Sequence, residues 1–243
     1  MKWQETGSGL RKRFCESLGL SFIGMRDIMQ SVNQLDASLR SAGYAASPDS
    51  DSHVNSWRII RACAVSAMAP GQLVKVRRPA TTYHETAEGA KEKTGEAREL
   101  RFFVRTDSEA ASGNQTMKLQ EERVFVHLSS FNFQTGSYSC PWLVYHSLVR
   151  TSKPFLRDVT ESSAYALLLF GGELEVQAAK GVILIDEWVQ LSANARIGSL
   201  IGGLRKKVDE LLMKKVSDPS FELANTNEMK LIVKLIRSDG LGT

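Results

Sequence analysis

Cysteines, long apolar runs and the usual signatures of nucleotide chemistry are all scarce or missing in this chain. Three cysteines, Cys15, Cys63 and Cys140, are spread through 243 residues. Their wide spacing and odd number suit neither a disulfide framework nor a zinc site, and they read as reduced thiols of an intracellular protein. The longest strongly apolar run, residues 164–172, falls far short of a bilayer span. The first seven residues (MKWQETG) have no apolar core, so no signal peptide is expected. No GxxxxGK[ST] loop occurs, which removes both the backbone cradle for ATP phosphates and the lysine that reaches them. The two Asp-Glu pairs, Asp186-Glu187 and Asp209-Glu210, lack the residues that complete a magnesium-binding NTPase motif. GxGxxG, HExxH and GxSxG are absent as well. Cys140 has no neighbouring base in sequence, and a buried or turn thiol is its default role. Independent catalysis by this chain is therefore not expected.

What is present is ordinary globular material: 42% apolar, 24% charged and 8% aromatic residues. The length allows one large domain or two small ones with a real core. Lysine and arginine number 31 against 27 acids, a formal charge of +4. That excess permits a polyanionic partner without demanding one.

The first third has a helical period. Met25, Ile28, Met29, Val32, Leu35 and Leu39 form a stripe that one helix face would bury, with Ser21 as N-cap and Gly43 as the stop. Residues 45–55 read as a polar linker. A second helix is expected over residues 56–68, with Trp57, Ile60, Cys63, Ala64 and Met68 inward and Pro70-Gly71 ending it.

After Gly71 the period becomes strand-like. Strands are expected at residues 72–77, 100–105, 123–128, 142–149, 155–159, 166–170, 174–177, 182–185 and 188–191. Many short strands punctuated by Gly, Pro and Ser suggest a small, closed or nearly closed barrel. Residues 80–97 and 106–122 read as long loops. A long helix capped by Ser192 would follow, with Ile197, Leu200, Ile201, Leu204, Val208, Leu211 and Leu212 on one face. Arg205, Lys206, Lys207, Lys214 and Lys215 lie on its other face, which reads as solvated, and Pro219 stops it. A closing helix over residues 228–237 follows an Asn225-x-x-Glu228 box.

Four stretches carry a resemblance. Residues 57–71 (WRIIRACAVSAMAPG), 124–131 (VFVHLSSF), 141–160 (PWLVYHSLVRTSKPFLRDVT), and 166–172 with 181–191 (ALLLFGG, GVILIDEWVQL) resemble the C-terminal region of DEAH/RHA-type (DExH) ATP-dependent RNA helicases. FNFQ (residues 131–134) and the tail RKKVDELLMKKVSDPS look closest to the multidomain branch with the large RHA-like helicases. In this resemblance Leu128 replaces the usual proline after His127. The implied fold is α+β: N-terminal helices, an OB-type antiparallel β-barrel, and C-terminal helices packed on the barrel. The implied division is a helicase-associated helical segment over 1–70, the OB-fold barrel over 71–191 and C-terminal helices over 192–243. The family's RecA-like motor and winged helix are not in this sequence, so the chain is expected to be a fragment, a truncated gene product or a free-standing remnant. ATP and magnesium would enter only through those motor domains, and no cofactor is expected in the chain itself.

The resemblance implies a non-catalytic module that holds single-stranded RNA at the exit of the helicase channel. Cations for phosphates, small polar donors and aromatic rings are what such contacts need. The candidates are Lys75, Arg77 and Arg78 at the first strand, His127, Ser129, Ser130 and Asn132 at the turn after the third, and Lys153 and Arg157 at the Thr-Ser-Lys-Pro turn. Each has a structural alternative. Arg157 suits an ion pair with Asp158 that braces a strand. His127 suits a hydrogen-bonded strand end, and Ser129 and Ser130 suit plain turn capping. A lone histidine with no second ligand at metal spacing makes a metal site a poor reading. Two other functions remain open: a protein-interaction module docking an activator or the motor domains, and a gene fragment that only retains a fold. The expected partners are single-stranded RNA, the motor domains and an activator protein, with no membrane, in the cytoplasm or nucleus.

Overall fold

Alternating burial along the strand-like stretches shows how the barrel forms. In Arg101–Thr106 the residues Phe102 and Val104 are buried between exposed arginines, and Val124 and Val126 play the same part in Gln120–Val126. The computed structural model describes residues 2–44, 52–69, 71–79, 83–86, 89–92, 97–106 and 120–239. Its helices are α1 (Lys2–Glu5), α2 (Arg11–Ser17), α3 (Phe22–Ser41), α4 (Trp57–Met68), α5 (Ala164–Phe170), α6 (Ala195–Ser217) and α7 (Asn227–Ser238). Its strands are β1 (Leu73–Arg77), β2 (Tyr83–Thr86), β3 (Gly89–Glu92), β4 (Arg101–Thr106), β5 (Gln120–Val126), β6 (Trp142–Arg150), β7 (Pro154–Glu161), β8 (Leu174–Gln177), β9 (Val182–Ile185) and β10 (Val189–Ser192).

Five strands close a barrel in the order β1-β4-β5-β7-β6, with β6 returning to β1. Every pairing is antiparallel except β5 with β7, which is parallel and carries two register pairs, Phe125↔Phe155 and Val126↔Leu156. The interior holds Val74, Val76, Phe102, Val104, Val124, Val126, Leu143 and Leu156. This is the five-strand, partly Greek-key arrangement of an OB-fold.

A second core lies outside the barrel. Leu73 of β1 with Trp142 and Val144 of β6 face outward and are buried with Ala62 and Val65 of α4, the Ala166–Leu169 stretch of α5, and Ile201, Ile232 and Ile236 of α6 and α7. Helices thus cover the β1–β6 flank of the barrel. Arg101 and Arg123 are exposed on the outer face of β4 and β5, while Arg105 of β4 donates to the Asp186 carbonyl at 2.9 Å, in the turn between β9 and β10. A three-stranded antiparallel sheet, β10-β9-β8, joins this second core through Ile183, Ile185 and Val189.

Several expectations are corrected. Residues 166–170 form the helix α5, capped by the Ser163 hydroxyl accepting from the Ala166 N–H at 3.1 Å, because a short apolar run has no period that separates a buried strand from a buried helix. Part of the loop expected over residues 80–97 is the β2–β3 hairpin, and Ala97 opens a short 3-10 turn. Residues 120–122 of the loop expected over 106–122 belong to β5, and residues 80–82, 87–88, 93–96 and 107–119 lie outside the described residues. Residues 45–51 of the expected linker lie outside them too. In α4 the inward stripe is Ile59, Ala62 and Val65, while Trp57 is 75% exposed and Cys63 lies at the surface. The smaller stripe wins because Ala62 and Val65 permit close approach to α5. Asn194, not Ser192, caps α6 by accepting from the Ile197 N–H at 2.9 Å. Thr226, not Asn225, caps α7, accepting from the Met229 N–H at 3.3 Å. Along α6, Ile201, Val208 and Leu211 are buried, whereas Ile197 and Leu200 are exposed. Arg205, expected on a solvated face, is partly buried and donates to the carbonyls of Gly171 and Gly172.

Residues 2–44 belong to a separate compact unit with residues 212–222. Ser21 caps α3 as expected, its hydroxyl accepting from the Gly24 N–H at 3.1 Å. Yet α3 has no buried residue, and Ile28, Val32, Leu35 and Leu39 of the expected inward stripe are exposed. An amphipathic stripe identifies the face a partner would cover; it supplies no partner. Trp3 meets Phe22 at 5.7 Å between ring centroids, and Lys215 caps the chain after α6 by donating to the carbonyls of Pro219 and Phe221.

Candidate nucleic-acid interface

The uncovered flank of the barrel is built from period-2 alternation. With Val124 and Val126 inward, Arg123, Phe125 and His127 must face outward from β5 and its end. The parallel pairing of β7 sets Phe155 beside Phe125, with ring centroids 6.3 Å apart. Two cations converge on the Phe125 ring, the Arg123 guanidinium at 5.1 Å and the Lys153 ammonium at 4.9 Å. The His127 ring meets Phe155 edge-on at 5.7 Å. Here lies a cleft of about 640 Å³, lined by these phenylalanines and cations and by residues 132–135 of the following turn. Its apolar lining includes Leu100, Phe102, Val124 and Val126.

The turn after β5 explains why its polar residues cluster. The Ser129 backbone N–H donates to His127 Nδ1 at 3.1 Å, and the Ser129 hydroxyl lies 2.7 Å from the same nitrogen. His127 is thus a hydrogen-bonded strand end on the edge of an aromatic pair. The Ser130 hydroxyl caps the short 3-10 turn Phe131–Gln134 by accepting from the Asn132 N–H at 3.3 Å. Asn132 ties the turn to β7, donating from Nδ2 to the Val159 carbonyl at 2.6 Å. Phe131 projects with 98% of its surface exposed.

The cations at the first strand are held elsewhere. Glu121 of β5 takes the Lys75 ammonium at 3.2 Å, the Arg77 guanidinium and the Trp188 indole N–H at 3.1 Å. Burial raises the Glu121 carboxyl, but Trp188, Lys75 and Arg77 together hold it below the usual carboxylate range. Lys75 also lies 5.6 Å from the Trp142 ring, and Arg77 lies 4.4 Å from the Phe103 ring. Arg78 donates to the Tyr138 carbonyl. Arg157 departs from its expected brace. It is exposed, makes no ion pair among the described residues, and precedes Asp158 in a left-handed conformation, φ 53°. The inward residue of β7 changes there from Leu156 to Val159, so the strand bends at Asp158 without any help from Arg157. Cys140 is buried, and burial pushes its thiol up to about 11, which makes it a poor nucleophile.

The structure therefore gathers Lys153 and Asn132 at the cleft, with His127, Ser129 and Ser130 in the adjoining turn, and sets Lys75, Arg77 and Arg78 among internal partners. Arg123, Phe125, Phe133, Gln134 and Phe155 line the cleft and were not among the expected residues. The signal for two of them was present, since RVFVH alternates Arg123, Phe125 and His127 onto one face. The approach of Phe155 depends on a long-range parallel pairing that no local pattern announces.

Comparison with known proteins agrees with this architecture. A family profile described as the oligonucleotide/oligosaccharide-binding (OB)-fold matches residues 60–174, and one described as the C-terminal domain in RNA helicases matches residues 181–238. The ATP-dependent DNA/RNA helicase DHX36 of Homo sapiens is 30% identical over 227 residues, covering 89% of this chain and 20% of that protein. Its Mus musculus counterpart is 41% identical over 98 residues, 40% of this chain and 10% of the relative. The putative DEAH-box ATP-dependent helicase UM11114 of Mycosarcoma maydis is 27% identical over 270 residues, 99% of this chain and 16% of the relative. The chain spans about a fifth or less of the curated relatives it matches. With a closed five-strand barrel, flanking helices and both profiles in order, the chain belongs to the DEAH/RHA-type (DExH) RNA helicases, as their OB-fold-bearing C-terminal region.

Proposed function

We propose that this OB-fold module holds single-stranded RNA for a DExH helicase, at the exit of the motor's channel, across the β5–β7 flank. The observation that carries this reading is the pair of cations on Phe125, with Phe155 beside it and a cleft next to both. Phosphates need exposed cations, and bases need ring faces; this flank offers both within one patch. ATP and magnesium act through motor domains, and the setting is the cytoplasm or nucleus.

The test is binding of oligouridine over a range of salt concentrations by the wild type and by Arg123→Ala/Lys153→Ala. Removing two phosphate contacts from a single strand should flatten the log–log salt slope by about 1.4 units. An unchanged slope would remove this flank from the interface. A second reading, protein docking, is favoured by the exposure of Phe131 (98%) and Leu128 (70%). Capture of an activator peptide, insensitive to salt and lost in Phe131→Ala, would support it.

A further inference from the structure

We propose that the 640 Å³ cleft takes one unstacked nucleobase of the bound strand and that Gln134 reads the edge of that base. This rests on the strand-binding reading above and adds base recognition to it. The volume lies within the roughly 300–1,000 Å³ of sites that enclose small organic ligands. Its lining divides as a nucleotide does. Phe125, Phe133 and Phe155 offer apolar surface for a base, and Arg123 and Lys153 supply charge for the phosphate attached to it. A groove that served the backbone alone would need the cations and not the apolar recess.

Gln134 is singled out by elimination among the polar groups of the turn. The Asn132 amide is committed to the Val159 carbonyl and faces the Thr135 hydroxyl, and the Ser130 hydroxyl caps the turn. Gln134 lines the cleft, is exposed, and its carboxamide has no hydrogen-bond partner among the described residues. A carboxamide presents a donor and an acceptor side by side, matching the paired groups on a base edge. It carries no charge, so its contribution to binding leaves counterion release untouched. That separates its role from the role of the cations.

The experiment titrates wild type and Gln134→Ala with oligouridine, oligoadenosine and an abasic ribose-phosphate oligomer of equal length, each at several salt concentrations. The wild type should bind one homopolymer more tightly than the other, and the better of them about tenfold more tightly than the abasic strand. Gln134→Ala should shrink the ratio between the homopolymers by about three- to tenfold with the salt slope unchanged. Equal binding of abasic and base-bearing strands by the wild type would overturn the base site while leaving strand binding in place. A wild-type homopolymer ratio near one, or a ratio that survives Gln134→Ala, would overturn the reading role of Gln134. Failure to bind any of the three strands would instead sink the strand-binding reading itself. Because Gln134 is exposed, thermal melting of the variant should match the wild type, and a shift would assign the residue to the fold.

Discussion

Glu121 gathers Lys75, Arg77 and the Trp188 indole, and its carboxyl is held below the ordinary range by those partners. A carboxylate with a lowered folded-state value contributes stability above its unfolded value, and that contribution is lost as pH falls through the folded one. Glu121→Gln should therefore cost about 1–2 kcal/mol in urea unfolding at pH 7, and the gap should close as the pH drops below the unfolded carboxylate value. A gap that persists at low pH would show that the charge is not what matters. Because Lys75 and Arg77 already have a carboxylate, alanines at Lys75, Arg77 and Arg78 together should flatten the RNA salt slope by less than the roughly two units of three free cations. The Thr-Ser-Lys-Pro turn makes the opposite case. Lys153 and Arg157 are both exposed, so neither alanine variant should move stability by more than about 0.5 kcal/mol. Lys153→Ala should weaken RNA binding about threefold, read by titration at low salt. An appreciable loss of stability in Arg157→Ala would restore the bracing role that its sequence neighbour Asp158 suggested.

At the scale of elements, the strands were the legible part. The expected boundaries at residues 174–177 and 182–185 are those of β8 and β9, and the barrel strands fall within a few residues of expectation, because Val and aromatic residues alternate cleanly there. Helix faces were less legible. α4 carries two apolar stripes, and only packing against α5 decides between Trp57-Ile60 and Ile59-Ala62-Val65. α6 has a further constraint that composition hides. A Cβ on Gly198 would lie 2.5 Å from Cγ1 of Val176 in β8, so the helix and the sheet meet at a residue without a side chain. Gly198→Ala should destabilise the protein by about 1–3 kcal/mol. Val176→Ala in the same chain should recover part of that loss, and a strictly additive double mutant in thermal melts would place the strain elsewhere.

For the molecule as a whole, the family was readable because its motifs are strung in order over most of the chain, whereas the candidate site was readable only in part. Cations stand out in a sequence, but whether each one is free or already paired depends on contacts such as Glu121 with Lys75, 46 residues apart. The cleft depends on β5 and β7 lying side by side, which local periodicity cannot specify. The missing phosphate loop leads to one expectation for the chain as a unit. Purified alone, it should show no ATP hydrolysis above buffer, with or without RNA. Turnover that survives repurification and disappears on mutating a residue of this chain would overturn that.

The closure of the barrel has a consequence for motion. β4 with β5 and β6 with β7 are joined by long antiparallel ladders, but the two halves meet at the β5–β7 seam through two register pairs and the His127 N–H donating to the Leu156 carbonyl at 3.0 Å. Local opening begins where the fewest bonds must break, so this amide should exchange with deuterium well before those in the middle of β6. Phe125, Val126 and Phe155 belong both to the seam and to the cleft lining, so breathing of the barrel and access to the cleft are one fluctuation. A strand seated in the cleft should slow exchange at His127 while leaving β6 unchanged, making a single backbone amide a gauge of occupancy.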